Sequence, residues 1–178
     1  MKEEIIIAGF GGQGVLSMGK ILAYCAIMQD MEVTWMPSYG PEMRGGTANC
    51  NVIVSDEEVG SPIISSATAL IVMNQPSLEK FENNVAPGGI VILDEDLVPT
   101  LPTRTDIRVF SIPATKMAYE LGNATFAGII LLGKLIAETG VVKPESFEAA
   151  LYGILKAKNH HLIPEEMKAL ALGAAYTK

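Results

Sequence analysis

The stretch Glu4-Ile5-Ile6-Ile7-Ala8-Gly9-Phe10-Gly11-Gly12-Gln13-Gly14-Val15 decides how the rest of the chain is read. A short continuous apolar run bounded by glycines predicts a strand over residues 4–8 that is buried on both faces. The apolar spacing from residue 15 to 29 then predicts a helix. Between them Gly9, Gly11 and Gly14 match G-x-G-x-x-G in the context that gives the pattern meaning, after a strand and before a helix. The unit is a strand, a Rossmann-like glycine loop and a helix.

Outward from that unit, strands are predicted over residues 31–36, 47–55, 69–73, 89–93 and 107–112. A helix starts at Pro76, with proline in its first turn and Glu79 near its positive end, and Ala86-Pro87-Gly88-Gly89 is expected to stop it. From Pro113 onward the spacing is helical, over residues 114–121, 126–139, 144–158 and 164–176. In the third of these Phe147, Ala150, Leu151, Ile154 and Leu155 share one face. Strands alternating with helices early, and helices clustered late, predict a three-layer α/β/α fold with a mostly parallel sheet and a helical C-terminal third. Its 178 residues suit a single domain over 1–178.

Hydrophobic residues make up 49% of the chain and charged residues only 19%, which points to surface buried against another chain. An isolated chain with that surface exposed is expected to form a homodimer through it. The most apolar run, residues 124–137, is broken by Lys134 well short of the roughly twenty residues a membrane span needs. The start Met1-Lys2-Glu3-Glu4 lacks the pattern of a secretory leader, so the expectation is a cytoplasmic protein without a membrane segment. A net charge of −7 argues against nucleic acid as a partner. Cys25 and Cys50 are the only cysteines, too few for an iron–sulfur cluster held by this chain alone.

The glycine loop has several readings. An acid at the end of the second strand, which would hold the ribose of a dinucleotide, is missing: that strand ends Thr34-Trp35-Met36-Pro37, which speaks against NAD or FAD. Gly9, Gly11, Gly12, Gln13 and Gly14 still suit an anion at a helix N-terminus, whether a phosphate, a carboxylate or a neighbouring chain's loop. The bland alternative is a tight turn in which Gln13 bonds to backbone.

A second stretch is chemically rich: Pro37-Ser38-Tyr39-Gly40-Pro41-Glu42-Met43-Arg44-Gly45-Gly46. Arg44 can hold a carboxylate or phosphate bidentately, and Gly45 and Gly46 clear the way for a partner. Pro37, Pro41 and Tyr39 stiffen the segment and favour a protein interface, against the alternative of a local Glu42–Arg44 ion pair. Asn74 and Gln75 close the fourth strand at the same ligand edge, to receive a partner or to cap the next helix. Asp94-Glu95-Asp96 reads as a turn and helix cap in preference to a Mg²⁺ site, and His160-His161 as a polar pair in a turn. No nucleophile with a neighbouring base emerges, so no catalytic residue is assigned.

The segments Gly9 to Val15, Pro37 to Cys50, Val72 to Ser77 and Gly89 to Asp94 together closely resemble the gamma subunit of 2-oxoacid:ferredoxin oxidoreductases, most of all the 2-oxoglutarate branch. An indolepyruvate-type relative stays open as an alternative. The resemblance implies a multi-subunit enzyme that oxidatively decarboxylates a 2-oxoacid, passes the acyl group to coenzyme A and reduces ferredoxin. It implies thiamine diphosphate with Mg²⁺ and iron–sulfur clusters in other subunits, and alpha, beta and ferredoxin-like delta chains as partners. Residues 38–46 with Asn74 and Gln75 then become interface candidates, and the glycine loop with Arg44 a candidate seat for coenzyme A. The rival of another class is a free-standing nucleotide-binding protein.

Overall fold

The structure, a computed structural model, describes residues 1–38 and 47–178. The expectations placed on Tyr39, Gly40, Pro41, Glu42, Met43, Arg44, Gly45 and Gly46 lie outside the described residues. In chain order the elements are β1 (Lys2–Phe10), α1 (Val15–Ile27), β2 (Glu32–Ser38), β3 (Thr47–Ser55), β4 (Ala67–Val72), α2 (Gln75–Phe81), β5 (Val85–Asp94), β6 (Arg108–Ile112), α3 (Ala114–Glu120), α4 (Ala127–Thr139), α5 (Pro144–Ile154) and α6 (Ile163–Ala175).

The strands form one sheet in the order β2-β3-β1-β4-β5-β6. β1, β4, β5 and β6 pair in parallel, while β3 runs antiparallel to both of its neighbours, β1 and β2. The sheet is therefore mostly parallel, with β3 alone reversed among the described residues. The reversal has a covalent cause: the connection from Ser38 to Thr47 is shorter than the dozen or so residues that a parallel crossover needs.

Continuous apolar strands bury both faces of this sheet. Ile5 and Ile7 join Val52, Ala69, Ile71, Ile92 and Ile112 in one core, against α1 and α3 to α6. Ile6 and Ala8 join Ile53, Leu70, Val72, Val91 and Leu93 in another, against Leu78 of α2 and the loop residues Ile64 and Val98. The three layers are thus unequal, with five helices on one face and one on the other among the described residues.

The apolar run of residues 124–137 forms α4, in which ten successive residues from Ala127 to Ile136 are buried. Its neighbour is α6, and the two backbones touch: a Cβ on Gly133 would fall on the Leu170 carbonyl, and one on Gly173 on the Ile130 carbonyl. Lys134, inside this packing, is paired with Glu138 at 2.7 Å, donates to the Tyr176 carbonyl at 3.1 Å and lies over the Phe110 ring. Among the described residues no helix is long and apolar enough to cross a membrane.

Two boundaries differ from expectation. Ala86-Pro87-Gly88-Gly89 does not stop α2, which ends at Phe81 and is followed by a 3₁₀ turn over Glu82–Asn84. These residues instead form an irregularity inside β5, where the pairing jumps from Ala67 with Val85 to Ala69 with Ile90. Pro87, without an N–H, is tolerated there because the ladder is already interrupted. The helix expected over 144–158 ends at Ile154, since Leu155 turns extended and a 3₁₀ segment follows over Ala157–Leu162.

Candidate functional site

The C-terminal ends of β1, β4, β5 and β6 lie along one edge of the sheet. Pairing of Phe10 with Thr47 and of Asn49 with Ser38 puts the end of β2 and the start of β3 on that edge too. The chain leaves β1 through α1 on the thick face and leaves β4 through α2 on the thin one. Between β1 and β4 the connections diverge, which opens the crevice where α/β sheets take ligands.

The glycine loop sits in this crevice. Gly14 is the N-cap of α1 in the left-handed region at φ 79°, and Gly12 is left-handed at φ 94°, conformations that a Cβ would strain. Among the described residues no side chain caps α1 and its first turn carries no acid, an arrangement that favours an anion at its leading N–H groups.

Gln13 fixes the loop. Its Oε1 accepts from the Phe10 N–H at 2.6 Å, and its Nε2 donates to the Met73 carbonyl at 3.0 Å. Gly9, expected to contact a ligand, is instead buried beneath the loop, where a Cβ would lie 2.6 Å from the Gln13 Oε1 and 3.1 Å from the Met73 Cβ. It makes room for the amide that shapes the site. Gly11, Gly12 and Gly14 remain at the surface of the loop.

Two hollows flank the loop. One, of about 300 Å³, lies toward Ala48 of β3, with Phe10 and Leu16 on its walls. The other is a cleft of about 530 Å³ between α1, α3 and the start of α4, reaching inward to Glu166 of α6. A third, of about 360 Å³, lies at the opposite edge, where Asp56, Glu57 and Glu58 would repel the anions that the glycine loop suits.

Asn74, expected at a partner surface, is only 2% exposed: its Oδ1 accepts the Ser77 N–H at 2.8 Å and caps α2. Its Nδ2 has no partner among the described residues. Gln75 is half-buried and accepts the Thr100 N–H at 3.1 Å. Both amides shape the edge from within. Ser38 is exposed at the end of β2.

Asp94 shows the turn and helix cap read from sequence. Fully buried, it accepts from the Asp96 N–H at 3.1 Å and from the Thr115 hydroxyl at 2.6 Å, while Asp96 accepts the Lys116 N–H at 2.8 Å. Two carboxylates thus answer the N-terminus of α3. Burial raises the Asp94 carboxyl above its usual range, and its hydrogen bonds pull the other way. His160 bonds to the Leu155 carbonyl at 2.9 Å and stacks edge-on with Tyr152, as a turn residue would. Among the described residues no group of three or more His, Cys, Asp or Glu side chains is placed to hold a metal.

Both thiols are buried, and burial pushes each up to about 12. Cys50 lies under α1, its Sγ 3.6 Å from the Val15 carbonyl, and Cys25 faces the Ser146 carbonyl on another side of the same helix.

The sequence reading missed Leu97, Tyr119 and Glu166, which line the cleft; Leu97 is 37% and Tyr119 68% exposed. Glu166 could have been found. It shares the spacing of Ala169, Leu170 and Gly173 on the buried face of α6, a carboxylate on an apolar stripe.

Comparison with known proteins places the chain in a family. Residues 4–176 match the family described as pyruvate ferredoxin/flavodoxin oxidoreductase. The chain is 39% identical over 98% of its length to the ketoisovalerate oxidoreductase subunit VorA of Methanothermobacter thermautotrophicus, but spans only 36% of that protein. It is 37% identical to the 2-oxoglutarate synthase subunit KorC of Methanocaldococcus jannaschii, covering 85% of this chain and 82% of that one. The keto/oxoacid ferredoxin oxidoreductase gamma subunit of Geobacter sulfurreducens superposes with a TM-score of 0.82 at 30% identity, over 97% of this chain and 96% of its own.

Proposed function

Because the chain belongs to the pyruvate ferredoxin/flavodoxin oxidoreductase family, we propose that it is the gamma subunit of a 2-oxoacid:ferredoxin oxidoreductase. The complex converts a 2-oxoacid and coenzyme A to acyl-coenzyme A and CO₂, and its two electrons reduce ferredoxin. Two relatives of matching length, the KorC chain and the Geobacter gamma subunit, support the subunit role. KorC favours 2-oxoglutarate as substrate; the VorA match keeps the branched-chain 2-oxoacid as the second reading.

In this reading the chemistry belongs to thiamine diphosphate and iron–sulfur clusters held by alpha, beta and ferredoxin-like delta chains. The residues here do not fit a cluster: the two thiols are buried on different sides of α1 and held protonated. The chain docks through the edge that carries Ser38 and Gln75, and Tyr39, Met43 and Arg44 are further interface candidates. Exposed Phe10, Leu97 and Tyr119 supply apolar area around it. The work takes place in the cytoplasm.

The observation that carries a ligand role is the N-terminus of α1 behind the Gly11–Gly14 loop, which no side chain caps among the described residues, at the crevice between β1 and β4. The loop, with Arg44, seats the phosphates of coenzyme A and leaves its thiol free to reach a neighbouring subunit. Gly14→Val and Arg44→Ala test this in the assembled complex. Loss of coenzyme A affinity with assembly intact supports the seat, and unchanged affinity removes it. Turnover on 2-oxoglutarate, 2-oxoisovalerate, pyruvate and indolepyruvate decides the branch.

A further inference from the structure

The two strands that close the sheet are guarded differently. β6 is five residues long and opens on Arg108, which pairs with Glu138 at 3.3 Å, so it is short and carries charge. β2 is seven residues long, has no lysine or arginine, and bears its one charge, Glu32, at its start. Its pairing with β3 runs without a bulge from Glu32 with Ser55 to Ser38 with Asn49. Among the described residues nothing pairs with its outer side. A long, regular outer strand without charge along it is a template for another strand. Pro37 withdraws one donor near the end, while Val33 to Met36 keep theirs.

Apolar side chains flank this edge. Trp35 lies against α1, where a Cβ on Gly19 would fall 2.9 Å from its Nε1, yet more than a third of its surface is exposed. Met36, on the opposite face by the alternation of the strand, is as exposed as Trp35. Ile27 and Met28, at the turn that leads from α1 into β2, are about half exposed. On the thin face α2 packs over β1 and β4, and among the described residues no helix covers β2. Exposed tryptophan and methionine with few charges is the composition of an interface core.

Charge and symmetry choose the occupant. Asp30 and Glu32 stand at the start of β2, and Trp35 to Ser38 at its end are uncharged. A parallel copy would bring the acids together. In an antiparallel copy centred on Trp35, Glu32 lies across from Ser38 and Thr34 across from Met36. The two Glu32 carboxylates are then about 20 Å apart, beyond the screening length at physiological salt. Trp35 meets its own copy, a cross-strand aromatic pair of the kind that stabilises sheets. A two-fold axis generates this self-complementary arrangement.

We infer that β2 pairs antiparallel with β2 of a second copy of this chain, which joins two six-stranded sheets into one across a two-fold axis at Trp35. The open side runs along the strand, whereas the docking edge described above lies at the strand ends, so the inference stands apart from that reading. The edge, about 24 Å long and about 10 Å deep, with its four flanking side chains gives on the order of 500 Å² a side, against about 800 Å² in a standard interface. The dimer is therefore weak, with a Kd of about 10 µM.

Sedimentation velocity of the full chain, over a dilution series up to about 100 µM, reads this equilibrium. Wild type is expected to pass from monomer to dimer across the series. Met36→Lys sets a charge at an exposed position of the edge, which a monomer tolerates, and should weaken the dimer at least tenfold. Mixing Met36→Lys with Thr34→Glu, which the register places opposite, should restore dimers that neither variant forms alone. Amide hydrogen exchange of wild type gives a reading free of substitution: amides within Val33 to Met36 should gain protection as concentration rises. A chain that stays monomeric at about 100 µM would overturn the proposal, as would a dimer that Met36→Lys leaves intact. Protection of the β2 amides only in the assembled complex would give the edge to a strand of another subunit and overturn it as well.

Discussion

Gln13 and Met73 join the two strands that border the crevice: the Gln13 amide, on the loop after β1, donates to the carbonyl that follows β4 at 3.0 Å. The same amide accepts from the Phe10 N–H, so one side chain sets both the curl of the loop and its distance from β4. Gln13→Leu removes both bonds while keeping the bulk. It is expected to lower the unfolding free energy by about 1–3 kcal/mol in urea titration. Coenzyme A affinity is expected to fall more than proportionally, and Gln13→Glu, which keeps the acceptor, to lose less than Gln13→Leu.

Contact between α4 and α6 depends on the absence of side chains. Gly133→Ala and Gly173→Ala each place a methyl on a backbone carbonyl of the facing helix, which neither helix can avoid without moving apart. Each change should destabilise the chain by about 2 kcal/mol or more despite the better helix propensity of alanine. Denaturation midpoints equal to wild type would show that the helices are not in backbone contact.

Glu166 gives a pH dependence with a defined sign. Burial holds its folded pKa above the unfolded value of about 4.3, and among the described residues no hydrogen bond opposes the shift. Between those two values the folded chain binds more protons than the unfolded one, so stability falls as pH rises through that window and stays lowered above it. Glu166→Gln removes this dependence. Its melting temperature is expected to exceed wild type at neutral pH, with the gap closing below about pH 4. A gap that stays constant across that range would contradict the assignment.

The two thiols should be inert in the native chain. With both pushed up to about 12 and buried, Cys25 and Cys50 carry almost no thiolate at neutral pH. Iodoacetamide followed by intact-mass measurement should show no adduct on the folded chain and two after denaturation. Rapid modification of either under native conditions would place it nearer the surface.

Much of this fold is legible in the chain because its central strands are short apolar runs and α2, α5 and α6 carry proline in their first turn. Residues 47–55 coincide with β3, and residues 15–29 contain α1. What the sequence hides is decided by tertiary pairing. The Pro87-Gly88-Gly89 run reads as a helix stop, yet lies inside β5 because an irregular ladder tolerates a missing N–H. At the site, the glycines and Gln13 stand out by motif, and the structure shows how Gln13 acts. Asn74 reads equally as a contact or a cap, and burial decides for the cap. Glu166 stands out as a carboxylate on the apolar stripe of α6, but its place beside the glycine loop is decided by the packing of α6 against α4.

The most direct test of the central claim is anaerobic affinity purification of this chain from its native cells, with the eluate assayed for coenzyme A-dependent viologen reduction driven by 2-oxoacids. The account predicts co-purifying thiamine- and cluster-bearing chains and turnover on 2-oxoglutarate. A chain recovered alone, without 2-oxoacid-dependent reduction under conditions that preserve oxygen-sensitive complexes, would contradict it.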